Sequence, residues 1–426
     1  MILWITGGHG RWPIKCLDPR HSFMDSSEIT LEAASSVSQI PADEWNACAN
    51  PAACPGVLTG GFNTSYNPFV SHAFFLAAEV SGSATARTGW GPRHLLARRE
   101  GEIVGIVPCY LKSHSRGEYV FDRGWADAYE RAGGSYYPKL QASVPFTPAS
   151  GPRLLIRGDE NHDEIRSALA RGLIGLCHAT EASSVHVTFA REAEWNFLSQ
   201  HGFLQRTDQQ FHWHNQGYQT FDDFLATLNS RHRKAIKSER REAVANGITI
   251  HALNGSDITE EAWDAFFEFY METGSRKWGR PYLTRSFFSL IGESMAKDVL
   301  LIMARRNDRW VAGAINFIGS DTLFGRNWGA IEHHPFLHFE VCYYQAIEYA
   351  ITRGLRTVEA GAQGEHKIAR GYLPQTTYSA HYIADPTLRY AINDYLKRER
   401  AYVAEMGREL SEAGPFRKEN GSSDQD

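Results

Sequence analysis

The same succession of apolar and polar stretches occurs twice along the chain. In the first half, His94-Leu95-Leu96-Ala97-Arg98 and Ile103-Val104-Gly105-Ile106-Val107-Pro108 flank a polar, glycine-containing stretch, 99–102, which predicts strand, tight turn, strand. In the second, Val299-Leu300-Leu301-Ile302-Met303-Ala304 and Trp310-Val311-Ala312-Gly313-Ala314-Ile315-Asn316-Phe317 flank 305–309 in the same way. Each hairpin precedes a longer amphipathic segment, 163–179 and then 339–353. In the latter, Tyr343, Ile347, Ala350 and Ile351 fall at i, i+4, i+7 and i+8, one buried helical face. Strand-like runs follow each helix, at 184–189 and 356–360. A short helix and a last strand close each half, through 197–203 to Phe211-His212-Trp213 and through Gly371-Tyr372 to 378–383. This pattern predicts an α/β or α+β protein of two similar halves.

Length agrees, since 426 residues exceed one compact core and favour two lobes of roughly 150 to 200 residues. The reading sets residues 1–29 aside as a loose, disordered extension. The first lobe is placed at 30–215, the second at 216–395, and a terminal helix and tail at 396–426. No apolar run approaches the ~20 residues that span a bilayer, so membrane insertion is not expected. The opening residues lack a basic segment before a sustained apolar run, and a cytoplasmic protein is expected. Six cysteines without a C-x-x-C pair suit reduced thiols rather than a disulfide framework or a zinc site. A net charge of −5 gives no overall attraction to polyanions, so any such ligand needs a local basic patch.

The densest candidate chemistry is Gly361-Ala362-Gln363-Gly364-Glu365-His366-Lys367, followed by Arg370-Gly371-Tyr372-Leu373-Pro374. Two glycines admit a ligand close to the backbone, and an acid, an imidazole and an amine occupy consecutive positions. The blander reading makes Glu365 a helix-start acid and His366 a packed loop residue. His338 and Glu340 begin the 339–353 helix. His334 and His338 are four apart, but Pro335 turns the chain between them and no metal site is expected. Along 228–241, Arg233, Lys234, Lys237, Arg240 and Arg241 share one helical arc above an apolar anchor of Phe224, Leu225 and Leu228. That cationic stripe suits phosphate, or is a solvated face partly neutralised by Glu239 and Glu242.

Three second-half blocks, Leu323 to Gly329, Leu337 to Gln345, and Gly361 to Lys367 with 370–374, resemble the bacterial peptidoglycan biosynthesis/recognition family of predicted N-acyltransferases. In the first half, Phe69 to Phe75 and Phe146 to Leu155 resemble its landmarks, and the likeness runs from about residue 30 to 395. The resemblance implies two fused Gcn5-related acyltransferase (GNAT-like) lobes, each a mixed sheet flanked by helices, similar to the Fem aminoacyltransferases that build peptidoglycan cross-bridges. It implies N-acyl or aminoacyl transfer to an amine on a small-molecule or peptide-like, cell-wall-precursor substrate. The donor is left open between acyl-CoA and aminoacyl-tRNA, because the loop that holds the CoA pyrophosphate in single-domain relatives has no clean copy here. Non-catalytic recognition of a peptidoglycan precursor or peptide is the alternative.

On that reading Glu365 and His366 accept the amine proton, Lys367 or Arg370 supports the oxyanion or a phosphate, and Glu340 is a second catalytic carboxylate. Gln363, Gly364, Arg370, Tyr372, Arg326, Trp328 and His338 are the expected substrate contacts, with Asp122 and Trp125 from the first half as a cleft wall. Arg233, Lys234, Lys237 and Arg241 are the expected phosphate contacts, tRNA included.

Overall fold

Alternation and turn chemistry place the two hairpins where the pattern puts them. In the computed structural model, which describes residues 2–6, 11–15, 28–51, 66–158, 160–278, 281–361 and 364–417, His94–Arg99 pairs antiparallel with Glu102–Val107. Val299–Arg306 pairs likewise with Arg309–Ile318. The second hairpin turns at Asn307 and Asp308, both left-handed at φ 47° and 60°. Asn and Asp tolerate that conformation, and the resulting turn matches strand twist.

The chain packs as two units built from interleaved segments. The first comprises Met1–Asp208, Tyr282–Met295 and Thr377–Val403; the second comprises Gln209–Pro281, Ala296–Thr376 and Ala404–Asp426. This corrects the contiguous lobes 30–215 and 216–395. The reason is an exchange of closing strands. The strand Leu204–His214 ends the first half, yet its His212–His214 portion pairs with Thr357–Glu359 in the second unit. The strand Leu373–Ile383 ends the second half, yet it pairs antiparallel with Ser184–Ala190 in the first.

Within the first unit, Thr30–Ala34, His94–Arg99, Glu102–Val107 and Leu155–Ile156 form a sheet in that order. The opening residues, read as a loose extension, contribute Ile2–Thr6 and Arg11–Lys15, which extend this sheet at its edge. Lys139–Ala142 pairs in parallel with Ser184–Ala190. The helix His162–Ala179, N-capped by the Asn161 side chain, crosses between them in sequence and buries Ile165, Leu169, Leu173 and Leu176 against Leu31, Leu95 and Val104.

The second unit repeats the scheme. Ile248–Asn254, Val299–Arg306, Arg309–Ile318 and Thr322–Ala330 form an antiparallel meander. Thr322–Ala330 then pairs in parallel with Thr357–Glu359, but only as far as Phe324↔Glu359, so the two strands part while the first runs on to Ala330. The helix connecting them, 337–352, is interrupted at Glu340–Tyr344 by a π segment, in which the Gln345 N–H reaches back to the Glu340 carbonyl. Such insertions widen one turn and re-aim its side chains. Val341, Ile347, Ala350 and Ile351 pack into a core with Leu300, Ile302, Val311 and Val358.

Two other expectations change. The terminal helix is Pro386–Glu412 and begins ahead of residue 396. The short helix expected around Gly371-Tyr372 is instead a 3-10 turn, Glu365–Arg370, closed by Gly371 at φ 88°. Among the described residues, no helix is long and apolar enough to cross a membrane.

Candidate active site

The parting of strands in the second unit opens the ground for a site, and three elements of that unit fill it. The basic stretch folds as two helices, Phe221–Thr227 and Ser230–Ala243, because Asn229 caps the second by accepting from the His232 N–H. The 337–352 helix contributes its π segment, and the Glu365–Arg370 turn follows the strand Thr357–Glu359. A cleft of about 610 Å³ lies alongside, lined by residues that include Glu272, Trp328, Glu332, His333, His338 and Phe339.

Next to the lining residues His338 and Phe339, Tyr343 Oη and His366 Nε2 are 3.0 Å apart. Burial pushes the Tyr343 phenol well above its usual range, so it stays protonated and able to donate. The exposed His366 ring neighbours Phe339 (5.6 Å between centroids) and His338 (6.2 Å), and His338 in turn packs on Trp328 (5.2 Å). An unbroken row of rings thus leads from the cleft lining to the imidazole.

Beneath this row the charges are already matched. Arg370 lies 3.5 Å over the Phe339 ring, donates Nη1 to the His366 carbonyl at 2.7 Å and Nη2 to Glu239 at 2.9 Å. The Tyr344 hydroxyl donates to the same Glu239 carboxylate. Next along the basic helix, Arg240 bonds Glu340 at 2.9 Å and Glu348 at 2.7 Å, while Gln345 donates to Glu340 at 2.8 Å. Lys367 is buried and donates Nζ to the carbonyls of Ala360 and Gly361, at 2.6 and 3.1 Å. Burial lowers its pKa to about 8. Arg326, on the strand that runs past its partner, lies 3.8 Å from the buried Glu359.

The chain matches the family model FemAB-like, described as peptidoglycan biosynthesis/recognition, over residues 36–418. It belongs to that family. FemAB-like membership rests on that match; no curated protein sequence is significantly similar. Among solved structures, the chain is similar to FemX at 15% identity, covering 74% of this chain and 93% of that one with a TM-score of 0.48. It is also similar to a tandem GNAT protein from the clavulanic acid biosynthesis pathway, at 11% identity, 84% and 99% coverage and a TM-score of 0.42. A third similarity is to L-PGS from Bacillus licheniformis, at 9% identity, 78% and 98% coverage and a TM-score of 0.47.

The structure brings His366, Lys367, Arg370, Tyr372, His338 and Trp328 into one unit, with Trp328, His338 and His366 in the row of rings, Arg370 against its Phe339 and Tyr372 against Tyr343. Gln363 and the Glu365 side chain lie outside the described residues. Gly364 packs against the His366 ring, where a Cβ would come within 2.3 Å of it. Tyr372 is fully buried and donates to the Tyr343 carbonyl at 3.3 Å, a support for the site rather than a surface of it. Glu340 is buried and fully engaged by Arg240 and Gln345, so its carboxylate is a fastening and not a second base. Lys367 turns inward to the backbone and so pins the Gly361 loop instead of facing an oxyanion.

Asp122 and Trp125 belong to the first unit. There Asp122 is buried against Lys139 and accepts from Tyr136 at 2.7 Å, with Lys139 and His186 outweighing burial to hold its carboxyl below the usual range. Trp125 is buried under the Arg206 guanidinium. Both are interior groups of that unit rather than a cleft wall. Of the stripe, Lys234, Lys237 and Arg241 face solvent and Arg233 is half-buried, whereas Arg240 turns in. Tyr343 and Glu239 enter the site unforeseen. Glu239 and Arg240 lie three and four residues after the buried Ile236, and Ala243 follows four and three later, so helical spacing already places both on the inward face.

Proposed function

We propose that this protein transfers an acyl or aminoacyl group to an amine, with the reaction seated in the second unit. The observation that carries the reading is the His366–Tyr343 pair, 3.0 Å apart at the end of a row of rings leading from the cleft. The amine nitrogen attacks the donor's carbonyl carbon, forming the C–N bond. His366 accepts the amine proton, and the carbon's bond to its thioester sulfur or ester oxygen breaks. Tyr343, kept protonated by burial, donates a proton to that leaving atom and regains one from His366, which restores both groups. Family membership points to a cell-wall precursor as the amine's carrier, and Trp328 and His338 offer it aromatic faces.

The donor is acyl-CoA or aminoacyl-tRNA, and the exposed Lys234, Lys237 and Arg241 offer phosphate contacts to either. Incubating the protein with each donor and with nucleotide-linked muropeptides, and reading new amides by mass spectrometry, tests the proposal. His366→Gln with Tyr343→Phe should abolish product; retained turnover would overturn the assignment. Recognition without chemistry is the second reading, favoured by the internal pairing of Glu340, Lys367 and Arg370, and muropeptide binding without turnover with every donor would select it.

A further inference from the structure

The two members of the His366–Tyr343 pair sit on different elements, and both elements are fastened to the same helix by adjacent residues. Arg240 grips the π segment that carries Tyr343, through Glu340. Glu239 grips the turn that carries His366, through Arg370, and also takes the hydroxyl of Tyr344 beside Tyr343. Within the Glu365–Arg370 turn, Lys367 holds the backbone from inside through the Ala360 and Gly361 carbonyls, and Ile368 is buried in the core. The turn is flanked by Gly364 and Gly371, and no side chain caps its start. At the His366 carbonyl the side-chain hold is the Arg370 guanidinium, itself fixed by the Glu239 carboxylate and by the Phe339 ring.

We propose that Glu239 is a positioning residue for His366, acting through Arg370; the proposal rests on His366 being the proton acceptor. Arg370 is buried, and a buried cation keeps its place only while its counter-charge remains. Without the Glu239 carboxylate the guanidinium swings toward water and drops the His366 carbonyl. The imidazole then leaves the Tyr343 hydroxyl, and the pair is lost although both its members remain.

The test reads the ring directly and needs no substrate. In the full-length protein, the rate of diethyl pyrocarbonate modification at His366 is followed by peptide mass spectrometry across pH. In Glu239→Gln and Glu239→Ala the rate should rise roughly fivefold, the factor that one net hydrogen bond protects. Glu239→Asp should recover part of the protection. Glu348→Gln, which removes a carboxylate from the neighbouring grip, should leave His366 unchanged. Should Glu239→Gln fail to fold, the double variant Glu239→Gln/Arg370→Met, which removes both charges together, carries the same expectation. An unchanged His366 rate in the folded Glu239 variant or double variant overturns the proposal, as does an equal rise in Glu348→Gln. Loss of the transfer reading, shown by turnover in His366→Gln, would leave this measurement standing and so is told apart from it.

Discussion

Lys367 offers a sharp test of the site's electrostatics. Its amine is buried and its pKa falls from 10.5 to about 8 on folding. Below the folded value the lysine is charged in both states, and the native state bears the full cost of burying it. As pH rises from about 8 toward 10.5, the native amine loses its proton while the unfolded chain still holds one. The unfolded state therefore binds more protons across that window, and stability must rise with pH there. At about 1.4 kcal/mol per unit, a shift from 10.5 to about 8 corresponds to about 3 kcal/mol.

Lys367→Met removes this term along with two hydrogen bonds to the Ala360 and Gly361 carbonyls, worth about 1 kcal/mol each. At pH 7 the relieved charge and the lost bonds nearly offset. By pH 10 the wild type should gain roughly 2 to 3 kcal/mol over the variant. Urea unfolding of both proteins at intervals between pH 7 and 10.5 gives the difference directly, with other groups cancelling. A difference that stays flat across the window would show that Lys367 is not desolvated, and the inward-turned amine would have to be abandoned.

Further outcomes follow from the same contacts. Gly329→Ala would bring a Cβ to 2.1 Å from the Phe269 backbone carbonyl, and since backbone cannot yield cheaply it should cost about 2 kcal/mol or more in urea unfolding. Tyr343→Phe removes only the hydroxyl facing His366; it should lower kcat roughly a hundredfold while leaving KM nearly unchanged, and a rise in KM alone would argue against proton transfer. Reversing Lys234 or Arg241 to Glu should in each case leave the unfolding free energy within about 0.5 kcal/mol of wild type, since both face solvent. If tRNA is the donor, the same change should shrink the salt dependence of its filter binding by about one logarithmic unit of slope per cation removed.

Periodicity carries much of the architecture. The hairpins and the helix ending at Thr352 announce themselves because each is built from neighbours in sequence, with turn residues where the backbone must reverse. The closing strands are different. Val187 meets Ala380 and Trp213 meets Val358 across long sequence separations, and nothing local distinguishes a strand that pairs within its own half from one that does not. In the site, the clustering of His366, Lys367 and Arg370 is visible in sequence, but their tasks are not. A lysine reads as a cation whether it faces a ligand or a carbonyl, and only burial decides. Glu239, within a run of arginines and lysines, reads as a surface neutraliser until the helical spacing from Ile236 is weighed against it.

The reciprocal trade of closing strands sets a rule for dissecting this molecule. A cut after residue 215 would strip Thr357–Glu359 of His212–His214, and would leave Ser184–Ala190 with a naked flank where Tyr378–Ile383 should lie. Exposed strand flanks recruit other chains. Fragments made at the apparent midpoint should therefore clump when expressed alone and recover solubility when produced together, each lending the other its missing ribbon.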